Sequence, residues 1–243
     1  MRRSASRPYH SRTPLPDGFR MFVRGLCRLL FRVIARVQVV GRENVPASGP
    51  CILVFNHLSN FDPPLIAAVV RRADLTGLVA ASYRRRALTR LAVNAGGGIW
   101  VRRGTGDRSA LRAALDILEE GFALALAPEG GRSESGALRS AKIGVAWLAR
   151  RTGAPIVPIA LTNTGSLRTG FRRLQRPVVG VRIGPRFELP PADEWHELEG
   201  DDSLERSTAF VMRRIAALLP EEYRGVYGGA PDSVSEGVPG GVP

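Results

Sequence analysis

The stretch Cys51–Asp62, CILVFNHLSNFD, decides how the chain is read. Five apolar residues, Cys51 to Phe55, break off into a polar turn, as a buried strand does when it delivers side chains to the rim of a sheet. The turn carries His57 and Asp62. Positions five apart do not share a face of a helix or of a strand, so the two side chains meet only if the chain folds back between them. Ser59 and Asn60 are turn formers, and Pro63-Pro64 suits the first turn of a helix. Two readings stand at this point. In one, the Asp62 carboxylate bonds one imidazole nitrogen and leaves the other free to take a proton from a hydroxyl. In the other, Asp62 caps the following helix and His57 is a surface turn residue.

Working outward, the pattern alternates strands and helices. Strands are expected over Gln38–Gly41, Cys51–Phe55, Leu75–Ala80, Ile99–Arg103, Phe122–Ala127, Ala154–Leu161 and Val178–Ile183. Helices are expected over Pro63–Arg72, Arg84–Val93, Asp107–Glu120, Ala137–Thr152 and Ser203–Leu219. This is an α/β chain: a single domain with a mostly parallel mixed sheet flanked by helices. Pro155 and Pro158 lack an N–H for a ladder, which favours an edge or irregular place for their strand. The 243 residues, 44% hydrophobic, suffice for one large core.

The formal net charge is +13. Residues 1–42 hold ten arginines and one acid, Asp17, so the positive field is concentrated there. Residues 1–16 read as a disordered basic arm. From residue 17 to 41 an amphipathic helix is expected, with Arg20, Arg24, Arg28, Arg32 and Arg36 at every fourth position and Phe, Leu and Val on the remaining faces. Such a helix suits an anionic membrane interface, with the arginines as its membrane-binding residues. It equally suits docking on the protein's own core with the arginines in water. Its apolar runs are too short to span a bilayer.

The rest of the composition narrows the function. Little aromatic interleaving accompanies the basic segment, which argues against nucleic acid. No Gly-x-Ser-x-Gly occurs, against a serine hydrolase. Three scattered histidines and two separated cysteines make a poor metal site. Cys27 and Cys51 form no disulfide framework, which favours a reducing compartment, and no apolar h-region of a secretory signal follows Arg2 and Arg3. From residue 223 to 243 the chain reads as a disordered tail.

A second polar loop, Pro128-Glu129-Gly130-Gly131-Arg132-Ser133, follows a buried strand, where ligands bind in open α/β sheets. Its glycines permit close backbone approach, and Arg103 and Arg132 offer forks for phosphate. Glu129 reads as orienting an arginine, accepting from a substrate hydroxyl, or forming a structural ion pair.

Four blocks in order resemble the glycerophospholipid acyltransferase family: Asn56–Asp62 its His-x4-Asp motif, Gly97–Arg103 its second block, Pro128–Ser133 its third and Ile156–Ile159 its fourth. The resemblance implies an acyltransferase domain over residues 42–222, with His57 as base and Asp62 as its holder. It implies transfer of a fatty acyl group from acyl-CoA or acyl carrier protein to the hydroxyl of a lysophospholipid acceptor, 1-acylglycerol 3-phosphate, giving phosphatidic acid, or to another lysolipid, glycerol 3-phosphate or an acylated amino lipid; the alternative outside this class is a noncatalytic basic membrane-binding protein. No cofactor beyond that co-substrate, and no metal, is implied. Arg103, Glu129, Gly130, Arg132 and Lys142 match positions associated with the acceptor phosphate, and Ile156, Val157, Pro158 and Ile159 match the acyl-chain region. Arg102, Ala127 and Gly131 depart from the family pattern. The implied place is the cytoplasmic face of the cell membrane, as a peripheral or monotopic protein.

Overall fold

The computed structural model describes residues 17–102, 104, 106–190 and 202–229. The expected arm over 1–16, the phosphate candidate Arg103 and the end of the expected tail lie outside them.

Cys51–Phe55 forms β2, and all five residues are buried. The run needs no polar alternation because strands flank it on both sides and helices cover both faces. β5 (Ala123–Leu126) and β6 (Ile156–Thr162) pair parallel with it. With β1 (Arg36–Val40), β3 (Thr76–Ala80), β4 (Ile99–Val101) and β7 (Val178–Ile183), the sheet has seven strands in the order β1-β7-β6-β2-β5-β3-β4. Among the strand pairs of the described residues, only β6–β7 is antiparallel. The mostly parallel mixed sheet expected from the alternation is therefore the fold.

α1 (Asp17–Ile34) and α2 (Asp62–Val69) cover one face, around Phe31, Leu53, Leu65, Ile66, Val157 and Val181. α4 (Arg108–Glu119), α5 (Gly144–Thr152) and α7 (Asp202–Ala216) cover the other, around Ile52, Val54, Leu118, Leu124, Leu148 and Met212. α3 (Ala87–Ala95) and α6 (Ser166–Arg172) flank α1.

Five expectations are corrected. The first helix stops at Ile34, and 36–40 is a strand of the main sheet, in parallel register with β7. Three β-branched valines within Arg36–Val40 favour strand over a further helical turn.

The second correction concerns the way α1 faces. Arg20 and Arg24 are buried, while Phe22, Leu26, Leu29, Leu30 and Val33 stand exposed. Arg20 Nη2 donates to the Gly96 carbonyl at 3.4 Å, Arg24 Nη2 to that of Leu75 at 2.9 Å and Arg28 Nε to that of Ala68 at 3.2 Å. These carbonyls sit at the ends of helices and in the turn before β3, where the backbone leaves acceptors without partners, and guanidinium groups satisfy them. Burial, with Arg20 nearby, lowers the Arg24 pKa to about 10, so it stays charged at neutral pH. Arg20 and Arg24 thus serve the fold and cannot touch a membrane, whereas Arg32 and Arg36 remain exposed.

Third, residues 137–143 are not helical, because their amides are committed elsewhere. Leu138 N–H donates to the Tyr223 carbonyl, Ala141 N–H to Tyr227 Oη and Lys142 N–H to the Pro128 carbonyl. Fourth, these bonds anchor residues 223–227, so the tail does not begin at 223. Gly225, at φ +49°, lies so close that a Cβ there would stand 2.1 Å from the Leu138 carbonyl oxygen. Fifth, of the edge or irregular place expected of it, β6 takes the irregular one and lies in the sheet interior. Ile156 bridges Phe187 and Ile159 pairs with Ile183, so three steps on β6 face four on its neighbour. The extra residue bulges out opposite Pro158, where β6 has no N–H to offer.

Candidate active site

The site begins where β2 ends. Asn56 extends the pairing past the strand: its Nδ2 donates to the Leu161 carbonyl at 2.9 Å, and its Oδ1 accepts from Leu161 N–H at 2.7 Å. The chain then folds back on itself. The amides of Leu58 and Ser59 donate to Asp62 Oδ2 at 2.6 and 2.7 Å, and His57 Nδ1 meets the same oxygen at 2.8 Å. Asp62 Oδ1 accepts from the hydroxyls of Ser59 at 3.1 Å and Thr164 at 2.5 Å. The capping reading fails, since Phe61 is the N-cap of α2 and Asp62 is its first residue. The carboxylate reaches back into the turn instead.

Asp62 is 0% exposed, and five hydrogen bonds offset the desolvation of its charge. An acceptor at Nδ1 makes that nitrogen the protonated one and leaves Nε2 with its lone pair. The His57 ring stands edge-on to Phe55, centroids 6.2 Å apart, and borders a cavity of about 890 Å³. Its walls are apolar, with Leu78, Val101, Leu111, Leu115, Leu126 and Leu148 among them; Arg102, Gly130 and Lys142 add polar atoms. The room for a chain lies between α4 and α5.

Ile156, Val157, Pro158 and Ile159 border none of it. They are buried in β6, between β2 and β7 and beneath helices, so the assignment of this block to the acyl chain is corrected: it is core.

Glu129 also takes a different role from the expected phosphate contact. Its Oε1 accepts from His57 N–H at 3.0 Å and its Oε2 from Arg139 N–H at 3.1 Å. It is 4% exposed; burial pushes its pKa up, while the two amides pull the other way. Ser133 N–H donates to the His57 carbonyl at 2.7 Å. Both backbone groups of His57 are thus held by the 129–133 loop.

Gly130, at φ +66°, leaves room for the Lys142 side chain: a Cβ would stand 3.0 Å from Lys142 Cε. Of the expected phosphate ligands, Gly130 and Lys142 reach the cavity. Arg132 is exposed and does not line it, its carbonyl held by the Arg139 guanidinium at 3.0 Å.

Three contributors escaped the sequence reading. Thr164 lies 102 residues along the chain from Asp62 and Arg139 ten from Glu129, and no motif marks either. Asp107 caps α4, accepting from Ser109 Oγ at 2.5 Å and from the amides of Arg102 at 3.0 Å and Ala110 at 3.3 Å. Against the upward push of burial, these bonds hold its pKa down to about 2. An Asp two residues before a Ser at a helix start was the available signal.

A mostly parallel α/β sheet with a histidine–carboxylate pair at a strand end, facing an apolar cavity, defines the class. The chain belongs to the acyltransferase family, whose model, described as Acyltransferase, matches residues 36–162. It is similar to the 1-acyl-sn-glycerol-3-phosphate acyltransferase of Borreliella burgdorferi, 31% identical over 134 residues, covering 54% of this chain and 53% of that protein. It is also similar to the lyso-ornithine lipid O-acyltransferase of Pseudomonas aeruginosa, 30% identical over 156 residues, 64% of this chain and 57% of that one. The chain thus spans a little over half the length of these relatives. The crystal structure of the 1-acyl-sn-glycerophosphate (LPA) acyltransferase PlsC from Thermotoga maritima shares the fold, with a TM-score of 0.61 at 23% identity, over 79% of this chain and 76% of that one.

Proposed function

We propose that the protein transfers a fatty acyl group from acyl-CoA or acyl carrier protein to the free hydroxyl of 1-acylglycerol 3-phosphate, giving phosphatidic acid. The observation that carries this reading is the His57–Asp62 pair, 2.8 Å apart, at an apolar cavity that Lys142 shares. His57 Nε2 takes the acceptor's hydroxyl proton as its oxygen forms a bond to the thioester carbonyl carbon. The tetrahedral adduct expels the thiolate, which recovers the proton from the imidazolium that Asp62 steadies. Lys142 and the backbone at Gly130 receive the phosphate, and the acyl chain lies between α4 and α5. Glu129 positions His57 rather than touching substrate.

The reaction takes place at the cytoplasmic face of a membrane. The contact is the apolar face of α1, with Leu88 and Leu91 of α3 at one end and Phe171 and Leu174 at the other, all exposed. Leu174 is 94% exposed in a basic turn, an arrangement suited to an anionic interface. No helix among the described residues is long and apolar enough to cross a membrane.

The similarity to a lyso-ornithine lipid O-acyltransferase favours a second acceptor, lyso-ornithine lipid, with the same chemistry. The test is the purified chain with a radiolabelled acyl thioester and a panel of both acceptors. Label is expected in phosphatidic acid, with none for His57→Ala. Activity retained by that variant refutes the base, and label confined to ornithine lipid replaces the acceptor.

A further inference from the structure

A second cavity, of about 550 Å³, lies between α1, α2 and β1 and shares no lining residue with the one at His57. The two are on opposite faces of the sheet, because Phe31, Leu65 and Val69 of the second belong to the α1/α2 side of the core and Leu111, Leu126 and Leu148 of the first to the α4/α5 side.

Its rim is Arg28, Arg32, Arg36, Arg42, Arg71 and Arg176, and no Asp or Glu lines it. All six are exposed, and among the described residues none makes an ion pair with a carboxylate. Two are fixed by backbone: Arg28 on the Ala68 carbonyl, and Arg176 on those of Arg32 and Ala35 at 2.6 and 3.0 Å. A guanidinium has five N–H donors, so both keep donors to spare. Six like charges around one concavity repel, and helix C-termini offset only part of that. The arrangement calls for an anion with more than one charge.

The floor identifies the anion further. Phe31, Leu65 and Val69 make it apolar, and Leu29 and Val33, 58% and 62% exposed, alternate with the rim arginines along α1. A ligand that satisfies both parts has a phosphate head and hydrocarbon next to it.

We infer that this pocket binds the phosphate head of an anionic phospholipid, at an accessory site apart from the one that handles substrate. The proposed membrane contact explains how such a lipid arrives, since α1 forms both the contact and the rim. The pocket itself is tested without a membrane.

Dihexanoyl phosphatidic acid, kept below its micelle concentration, is titrated into the purified protein by calorimetry. Wild type is expected to take two equivalents, Arg36→Ala/Arg42→Ala/Arg71→Ala one, and Lys142→Ala the other one. Arg71→Glu alone is expected to weaken the accessory equivalent about fivefold or more, the scale of one arginine facing an anionic lipid. These side chains are exposed, so the variants are expected to melt as wild type does. An unchanged stoichiometry in the triple variant overturns the site. So does inorganic phosphate displacing the lipid as well as the lipid displaces itself, since the apolar floor would then contribute nothing. Failure of acyl transfer, or of vesicle binding, leaves both criteria standing.

Discussion

The turn at His57–Asp62 and the helix α1 both place arginine or carboxylate charge out of water, and they do so by opposite means. Asp62 finds four of its five donors within five residues of chain, so the turn organises itself around one carboxylate. The arginines of α1 find their acceptors 40 to 76 residues away, on carbonyls that other elements leave open. A local network has its geometry written in its spacing. A helix whose polar stripe is buried by distant partners has its periodicity written there, but not its direction.

Three single substitutions test that contrast, taken from the largest expected effect on stability to the smallest, and one double variant serves as a counterpart read by flotation. Asp62→Ala leaves five donors without their acceptor, and unfolding by denaturant is expected to show a loss of about 3 kcal/mol or more. A loss under about 1 kcal/mol would mean that the turn does not depend on the carboxylate.

Arg24→Met abandons the buried Leu75 carbonyl, with an expected cost of about 2 kcal/mol and unchanged flotation with anionic vesicles. The reverse pattern, lost flotation at full stability, would return Arg24 to the surface. Its counterpart, Leu26→Glu/Leu29→Glu, should abolish flotation while shifting stability by no more than about 0.5 kcal/mol.

Asp107→Asn probes a second local network and is expected to cost about 1 kcal/mol at pH 7. The sign follows from a carboxyl pKa of about 2 in the fold against about 3.9 unfolded. The wild type's advantage is present above about pH 4 and fades as pH falls toward 2, where melting curves of the two proteins should converge.

The same contrast governs how much could be read in advance. The β2 run, the fold-back of the turn and the alternation of strands and helices were legible because each is a short-range pattern. The reversal of α1 was not, since nothing within Asp17–Ile34 records that Gly96, Leu75 and Ala68 would present bare carbonyls. Residues 137–143 carry helix formers, yet Glu129, Pro128 and the Tyr223–Tyr227 segment claim their backbone, a competition that only the tertiary fold sets up. Glu129 and Arg132 were both tied to the acceptor phosphate by the family resemblance. Burial separated them, turning one inward to hold His57 and the other outward into solvent. Ile156–Ile159 was apolar as an acyl-chain contact should be, but a central strand has the same composition.

The two oxygens of Glu129 reach two separate loops, and this divides the molecule into parts that can be altered independently. In the proposed reaction, headgroup preference is tied to the spacing of residues 129–142, where an insertion or deletion would drag His57 with it. The walls at Leu111 and Leu115 of α4 are only half-buried and form no hydrogen bond to the His57 turn through their side chains, so in the proposed reaction chain-length preference is open to redesign by side-chain volume while His57 and Asp62 stay as they are.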